Sequence, residues 1–186
     1  MAKAIKVCLE NRGEDRETPW ATDLGPAPGP KGSRKVRLAN VPFMHAKPTW
    51  GDVIVVSPIK GTFPTWDRDG VAWSRIDSRI IEDGGRWAMI VSYAPKQLEA
   101  ADDCFDALCQ ACAELEVVCE GATPPRPGRP GHAYLAVKYA TTDKAVMNHL
   151  SRAELPCALV QIHPTPAKPA KAVKRPVKKK RAGVRR

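Results

Sequence analysis

The sequence predicts an α+β fold in three parts: a small N-terminal β-sheet or partial barrel, a ferredoxin-like βαββαβ unit, and a disordered basic tail. Short apolar runs broken by Gly and Pro occupy residues 1–85, as in small β domains. Over residues 86–163, apolar stripes at helical spacing alternate with strand-like runs. Residues 164–186 are rich in Lys, Arg and Pro and have almost nothing to bury. We therefore predict domains 1–85 and 86–163, followed by the tail 164–186.

In the first part, strands are predicted where apolar and polar residues alternate or β-branched residues cluster. The candidates are Ala4–Leu9, a strand beginning at Thr18–Ala21, Val36–Val41, Asp52–Ile59 and a hairpin over Trp66–Ile76. That hairpin is expected to turn at Asp69-Gly70, a strong turn dipeptide. The run 25–32, rich in Gly and Pro, is predicted to be a flexible loop. Glu82-Asp83-Gly84-Gly85 is acidic, so it is expected to form a hairpin turn and not a phosphate-binding loop.

The second part begins with a predicted strand, Trp87–Tyr93, and continues with a helix whose apolar residues are spaced three and four positions apart. That stripe consists of Leu98, Ala101, Phe105, Leu108, Cys112 and Leu115. The next two strands are predicted at Leu115–Cys119 and His132–Tyr139, separated by a loop that contains four prolines. Thr142-Asp143 can cap a second helix, which Leu155-Pro156 ends. Cys157–Ile162 is the last predicted strand.

Three short motifs in the first part resemble motifs of one known family. They are Glu17 with Trp20-Ala21, Leu38-Ala39-Asn40-Val41-Pro42-Phe43, and Gly51-Asp52-Val53. On these motifs the chain resembles the uncharacterised bacterial domain-of-unknown-function family 4265, over about residues 17–162. The resemblance implies a bacterial source and a fold with a Trp-Ala strand, an Asn-hydrophobic-Pro-Phe turn and a Gly-Asp-Val strand start. It implies no reaction.

The same residues have a physical interpretation. Pro42 restricts Val41 to extended geometry, so Asn40-Val41-Pro42 suits a strand that ends in a turn. Gly51 and Asp52 are residue types that favour a turn. These properties favour a structural role for the motif. The alternative is a ligand pocket beneath Phe43 and His45.

No cofactor, metal or catalytic residue is expected. Cys109-Gln110-Ala111-Cys112 is a CxxC pair, but a zinc site needs two further ligands at suitable spacing and the sequence has no second CxxC. Cys112 falls on the apolar helix stripe, so we interpret the cysteines as structural thiols. Cys104 or Cys109 could form a nucleophilic catalytic site with His149 and Asp143, but nothing in the spacing of these residues distinguishes such a site from a chance arrangement.

The third predicted strand of the second part suggests one way to bind RNA. Gly131-His132-Ala133-Tyr134-Leu135 is similar to the third-strand signature of RNA-recognition motifs, which share the βαββαβ order and stack bases on strand aromatics. Two aromatic positions of that signature are not kept, because His132 and Val137 replace them. We favour the alternative, an ordinary core strand.

The basic tail carries the strongest functional signal. Residues 168–186 hold ten of the 30 Lys and Arg residues and none of the 20 Asp and Glu residues, so the net charge of +10 belongs to this segment and the remainder is formally neutral. Such an arm neutralises phosphates and releases counterions without reading sequence. The alternatives are a solubilising tail without a partner and attachment to anionic lipid. The predicted nucleic-acid-binding residues are Lys168, Lys171, Lys174, Arg175, Lys178, Lys179, Lys180, Arg181, Arg185 and Arg186.

These observations predict a non-enzymatic bacterial binding protein that its tail tethers to nucleic acid. A cytoplasmic location is expected, because the sequence shows neither a signal peptide nor a membrane span. The α+β body would bind a protein partner or a small ligand. The main alternative is a protein-interaction module of the inhibitor or immunity type, with an incidental solubilising tail. A third alternative is an enzyme whose site the sequence does not reveal.

Overall fold

The structure, a computed structural model, describes residues 4–10, 16–44, 46–58, 73–74 and 80–162. Within these residues it contains two large antiparallel sheets and two α-helices, which confirms the predicted mixed α+β class. The predicted turn at Asp69-Gly70 and the basic tail lie outside the described residues.

The first sheet is built from short strands of the N-terminal part. The strands are β1 (Ala4–Lys6), β2 (Leu9–Glu10), β3 (Arg16–Glu17), β4 (Trp20–Pro26), β5 (Arg34–Leu38), β6 (Val53–Pro58), β7 (Trp73–Ser74) and β8 (Ile80–Glu82). Within the sheet, β1, β4, β5, β6 and β7 are hydrogen-bonded in that order, and β8 also pairs with β6, whereas β2 pairs separately with β3. All of these pairings are antiparallel.

Strand β5 shows how the sequence pattern forms this sheet. Val36 and Leu38 are buried in the core of the first sheet, whereas the alternate residues Lys35 and Arg37 are exposed. This is the alternation expected of a strand with one buried face. The predicted strand Val36–Val41 is shifted toward the N-terminus in the structure, because the backbone leaves the sheet after Leu38. β4 extends to Pro26 and so includes the start of the predicted loop 25–32.

The second sheet is formed by β9 (Arg86–Tyr93), β10 (Val118–Thr123), β11 (Gly131–Lys138) and β12 (Cys157–Ile162). Their order is β10-β11-β9-β12, and every neighbouring pair is antiparallel. Helix α1 (Ala101–Glu114), which a 3-10 turn at Leu98–Ala100 precedes, connects β9 to β10. Helix α2 (Asp143–Arg152) connects β11 to β12.

Both helices pack on one face of the second sheet. The fully buried side chains at this contact come from β9, β11 and the two helices, and they include Met89, Leu135, Leu108 and Leu150. Thr142 caps α2 as its sequence predicts, since its Oγ1 accepts a hydrogen bond of 3.1 Å from the Ala145 N–H. Neither of these helices has the length and apolar character needed to cross a membrane.

The strand predicted at Leu115–Cys119 begins three residues later than expected. The Leu115 and Val117 N–H groups both donate to the Cys112 carbonyl, and Glu116 between them has a φ of 54°. These bonds close the C-terminus of α1, where a residue in the left-handed region is common. The chain therefore enters β10 only at Val118.

The opposite face of the second sheet packs against the first part of the chain. Val41 is buried there against Ala88 and Ala136, with Trp50 and Tyr134 partly buried at its side. The hairpin predicted at Glu82–Gly85 is wrong, because β8 pairs with β6 in the first sheet while β9 pairs with β11 and β12 in the second. Residues 83–85 instead connect the two sheets.

Two leucines of the second sheet provide a test of this packing. Leu135 is fully buried beneath the helices, and Leu159 on β12 is 40% exposed. We expect Leu135→Ala to lower the free energy of unfolding by about 2–5 kcal/mol, because it leaves a cavity in the core. Leu159→Ala should cost less than about 1 kcal/mol. Urea denaturation measures both, and equal losses would contradict the assigned core.

Candidate functional site

The ten cations assigned to nucleic acid, from Lys168 to Arg186, lie outside the described residues, and so does His45. The remaining candidates are placed by the structure. They include the motifs on which the resemblance to family 4265 is based, the cysteines and the strand around Tyr134.

Asn40 and Glu120 join the first part of the chain to the second sheet. One Glu120 oxygen accepts from Asn40 Nδ2 at 3.1 Å, and the other accepts from the Val41 N–H at 2.8 Å. Asn40 Oδ1 in turn accepts from the Trp20 N–H at 2.6 Å. Burial raises the pKa of Glu120. The hydrogen bonds from Asn40 and the Val41 N–H favour its charged form and so act against this rise. Asn40 thus bridges β4 and β10 in addition to its predicted place beside a turn.

Phe43 lies over the sheet face that an RNA-recognition site would use. Its ring centroid is 4.4 Å from that of Tyr134, and the two rings are tilted by 44°. The Phe43 and Met44 N–H groups donate to the Glu17 carboxylate, which holds this turn in place. Because Phe43 stacks on Tyr134 and Val41 packs on Ala136, the face around Tyr134 is covered by the protein's own side chains.

Asp52, of the Gly-Asp-Val motif, is fully buried and surrounded by donors. Its carboxylate accepts from the Thr49 N–H at 2.8 Å, from the Gly84 N–H at 2.6 Å, and from Lys47 Nζ, which is 3.0 Å from both oxygens. Such a set of donors is what a buried carboxylate requires. Asp52 therefore ties the loop before β6 to the segment that connects the two sheets.

Lys47 extends this contact to the surface. Its Nζ lies 2.9 Å from Asp83 Oδ1, and the Tyr139 hydroxyl donates to Asp83 Oδ2 at 2.7 Å. Lys47 also lies over the Tyr139 ring, 5.3 Å from the ring centroid. We call Lys47, Asp52, Asp83 and Tyr139 the junction network. It links the first sheet, the connecting segment and the end of β11.

Gly84 allows the connecting segment to approach Asp52. A Cβ on this residue would lie 2.7 Å from the carbonyl carbon of Gly51 and 2.9 Å from the Asp52 nitrogen. Both neighbours are backbone atoms, so they cannot move aside as a flexible side chain could. The glycine is thus required by the close approach that forms the Gly84 N–H bond to Asp52.

The charge states of the junction network favour a structural role over proton transfer. Burial alone would lower the pKa of Lys47, but hydrogen bonds with Tyr139, Asp83 and Asp52 and the charge of Asp52 raise it above its ordinary value. Burial raises the pKa of Tyr139. The pKa of Asp83 is lowered, because hydrogen bonds from Tyr139, Lys47 and the Gly85 N–H outweigh its burial. These three groups are therefore held as ammonium, phenol and carboxylate at neutral pH, far from the poised pKa of a general acid or base.

The cysteines lie mainly where α1 faces the second sheet. The Cys119 thiol is hydrogen-bonded to those of Cys112 and Cys109, and these bonds together with burial raise its pKa. Burial also raises the pKa of Cys109, and that of Cys157 to about 12. Thiols with raised pKa values stay protonated at neutral pH, whereas nucleophilic and metal-binding cysteines act as thiolates. This supports the interpretation of structural thiols.

Metal binding and a nucleophilic set have no support among the described residues. No group of three or more His, Cys, Asp or Glu side chains in them is arranged to hold a metal ion. His149 Nε2 lies 3.1 Å from a carboxylate oxygen of Glu114, at the end of α1, without forming a hydrogen bond to it.

Sequence reasoning did not identify Lys47, Asp83, Tyr139 or Glu120 as members of these networks. Most of their contacts join residues far apart in the sequence, from 36 positions for Lys47 and Asp83 to 80 for Asn40 and Glu120. The contact between Lys47 and Asp52 spans only five positions. One signal was present: the glycine pair after Asp83 marks a place where backbones approach closely.

Comparison of the chain with known protein families, with curated proteins and with solved structures finds no match. The resemblance to family 4265 consequently stays a prediction based on the three motifs.

Two ion pairs, one buried and one exposed, test how much the junction network contributes to the free energy of unfolding. Asp52→Ala leaves Lys47, which is 16% exposed, without its buried partner, and we expect a loss of about 3–5 kcal/mol in the free energy of unfolding. Glu82→Ala breaks the exposed pair with Arg37 and should cost about 0–1 kcal/mol. Chemical denaturation measures both variants. A loss from Asp52→Ala no larger than that from Glu82→Ala would contradict a stabilising junction.

The lowered pKa of Asp83 predicts how the junction responds to acid. A carboxylate with a lowered pKa in the folded state contributes stability above its unfolded value, here 3.8, and this contribution is lost as pH falls through the folded pKa. Wild-type protein should therefore be more stable than Asp83→Asn at neutral pH, with the difference narrowing below pH 3.8. Thermal unfolding across a pH series measures this difference. A constant difference at all pH values would be inconsistent with the assigned hydrogen bonds.

Proposed function

We propose that this chain is a non-enzymatic binding protein that attaches to nucleic acid, without sequence preference, through Lys168 to Arg186. The observation that carries the proposal is the charge of that segment, which has ten Lys and Arg residues and no acidic residue. Consecutive cations of this density neutralise several phosphates and release their counterions. Contacts from Lys and Arg to phosphate oxygens carry no sequence information, so little discrimination between sequences is expected.

The structured body supports a binding role and not a catalytic one. The junction network holds its groups in fixed charge states, and the thiols with raised pKa values are poor nucleophiles. Base stacking on the second sheet is disfavoured, because Phe43 covers Tyr134. The strand order β10-β11-β9-β12, with both helices on one face, supports a ferredoxin-like βαββαβ unit as part of the proposal. The resemblance to family 4265 extends the proposal to a bacterial protein.

One observation favours the second candidate function, a protein-interaction module. β12 is an edge strand, and Leu159, Val160 and Ile162 on it are 40%, 50% and 41% exposed. Cys157–Ile162 contains no charged residue, whereas edge strands are commonly protected by charge or proline. A partner strand could add to this edge. In that case the basic segment would serve solubility alone.

Truncation after Pro164 separates these two functions. If about six of the ten cations contact phosphates, the tail should contribute roughly −5 to the log–log salt slope with which the full chain binds duplex DNA. The truncated chain should lose most of this affinity and most of the slope. A full chain with residues 165–186 in shuffled order is the matched control, and it should bind like the original. Fluorescence anisotropy across a salt series measures all three proteins.

Equal binding by the truncated and full chains would overturn the proposed role of the tail. Absence of binding by the full chain at physiological salt would favour the interaction module.

A further inference from the structure

A positively charged cleft lies at one end of the second sheet. It has a volume of about 410 Å³ and is formed by the connection from β9 to α1 and by the loop between β10 and β11. Three of its lining residues are cations, Lys96, Arg126 and Arg129. No residue that lines the cleft is acidic. All three cations are exposed. The charge of this cleft is independent of the tail.

The loop between β10 and β11 holds its two arginines together. The Arg126 N–H donates to the Arg129 carbonyl and the Arg129 N–H to the Arg126 carbonyl, each at 2.9 Å. Residues paired in this way across a hairpin lie on the same face. Pro127 and Gly128, with its φ of 70°, occupy the turn positions that suit these two residue types. The turn therefore places the two arginines on the same face of a constrained backbone.

These cations are also available to a ligand. Across the part of the chain that the structure describes, no carboxylate forms an ion pair with Lys96, Arg126 or Arg129. Some other cations of the body are already engaged, as Arg34 is with Asp23 and Lys47 is with Asp52. An anion at the cleft would thus meet three positive charges without displacing an internal partner.

We propose that the cationic cleft of Lys96, Arg126 and Arg129 binds backbone phosphates of nucleic acid, and this rests on the proposed function of the tail. Charge complementarity identifies the ligand class, since a phosphodiester chain presents a negative charge at every nucleotide. The planar guanidinium fork matches two phosphate oxygens at once, so a pair of arginines gives a defined contact geometry. The tail supplies charge, whereas the cleft fixes where the nucleic acid lies on the body.

The cleft and the tail can contact the same nucleic acid. Cys157 pairs with Tyr93 beside the cleft, and Ile162 pairs with Met89 at the other end of β12. Five residues along a strand separate these ends by roughly 17 Å. The six residues from Ile162 to Lys168 can span at most about 20 Å. Duplex DNA carries on the order of ten charges over 17 Å, so one duplex can occupy both sites.

The test removes the two arginines from the full chain and from the chain truncated after Pro164. In the full chain, Arg126→Ala with Arg129→Ala should weaken duplex DNA binding about tenfold at moderate salt and reduce the salt slope by about 2. The matched control, Lys35→Ala with Lys144→Ala, removes two exposed cations elsewhere and should leave the slope unchanged. Arg126→Lys with Arg129→Lys keeps the charge and loses the fork, so affinity should fall while the slope stays.

The truncated chain keeps the two proposals distinguishable. At low salt it should retain weak binding, with a slope of roughly −2 to −3, that the double alanine variant abolishes. If that variant matches the Lys35 and Lys144 control in both chains, the cleft proposal is overturned while the tail proposal can stand. If truncation has no effect but the arginine variant does, the tail proposal fails and the cleft remains. Absence of binding by every form at low salt would overturn both.

Discussion

The carboxylate of Asp52 is the buried charge on which the contact between the two sheets depends. Removing a carboxylate from water costs several kcal/mol, so it is retained only where donors surround it. Here Lys47, the Thr49 N–H and the Gly84 N–H supply those donors from both sides of the contact. The loop before β6 and the segment after β8 are therefore fixed by one group. Gly84 can approach it because it has no side chain to collide with the backbone at Gly51.

The apolar packing between the first part of the chain and the second sheet determines which surfaces stay accessible to a binding partner. Val41 fills the contact with Ala88 and Ala136, and Phe43 stacks on Tyr134. The sheet face that RNA-recognition proteins use is thus occupied by the chain's own turn. The proposed binding therefore uses the ends and edges of the second sheet. The cationic cleft lies at one end, and the basic segment follows the edge strand β12.

Local elements could be predicted from the sequence because their signals are local. The three-and-four spacing predicted α1, Thr142 predicted the start of α2, and Cys157–Ile162 was assigned its observed bounds. The predicted hairpin at Glu82–Gly85 was wrong because strand pairing is not a local property. Residues that favour a turn do not specify which strands pair. The junction network could not be predicted either, because Asp83 meets Tyr139 from 56 positions away. The charge of the tail was evident from composition alone, whereas the cleft needed the fold to bring Lys96 beside Arg126 and Arg129.

The most direct test follows backbone amide signals of the full chain by NMR during titration with a mixed-sequence DNA duplex. We expect amide shifts at Lys96, Arg126 and Arg129 and at the non-proline residues of 168–186. The amide signals of Thr49 and Gly84 should stay unshifted, because these N–H groups donate to Asp52. Shifts centred on Tyr134 and its neighbours in β9, with the cleft and the tail unaffected, would contradict both proposed binding sites.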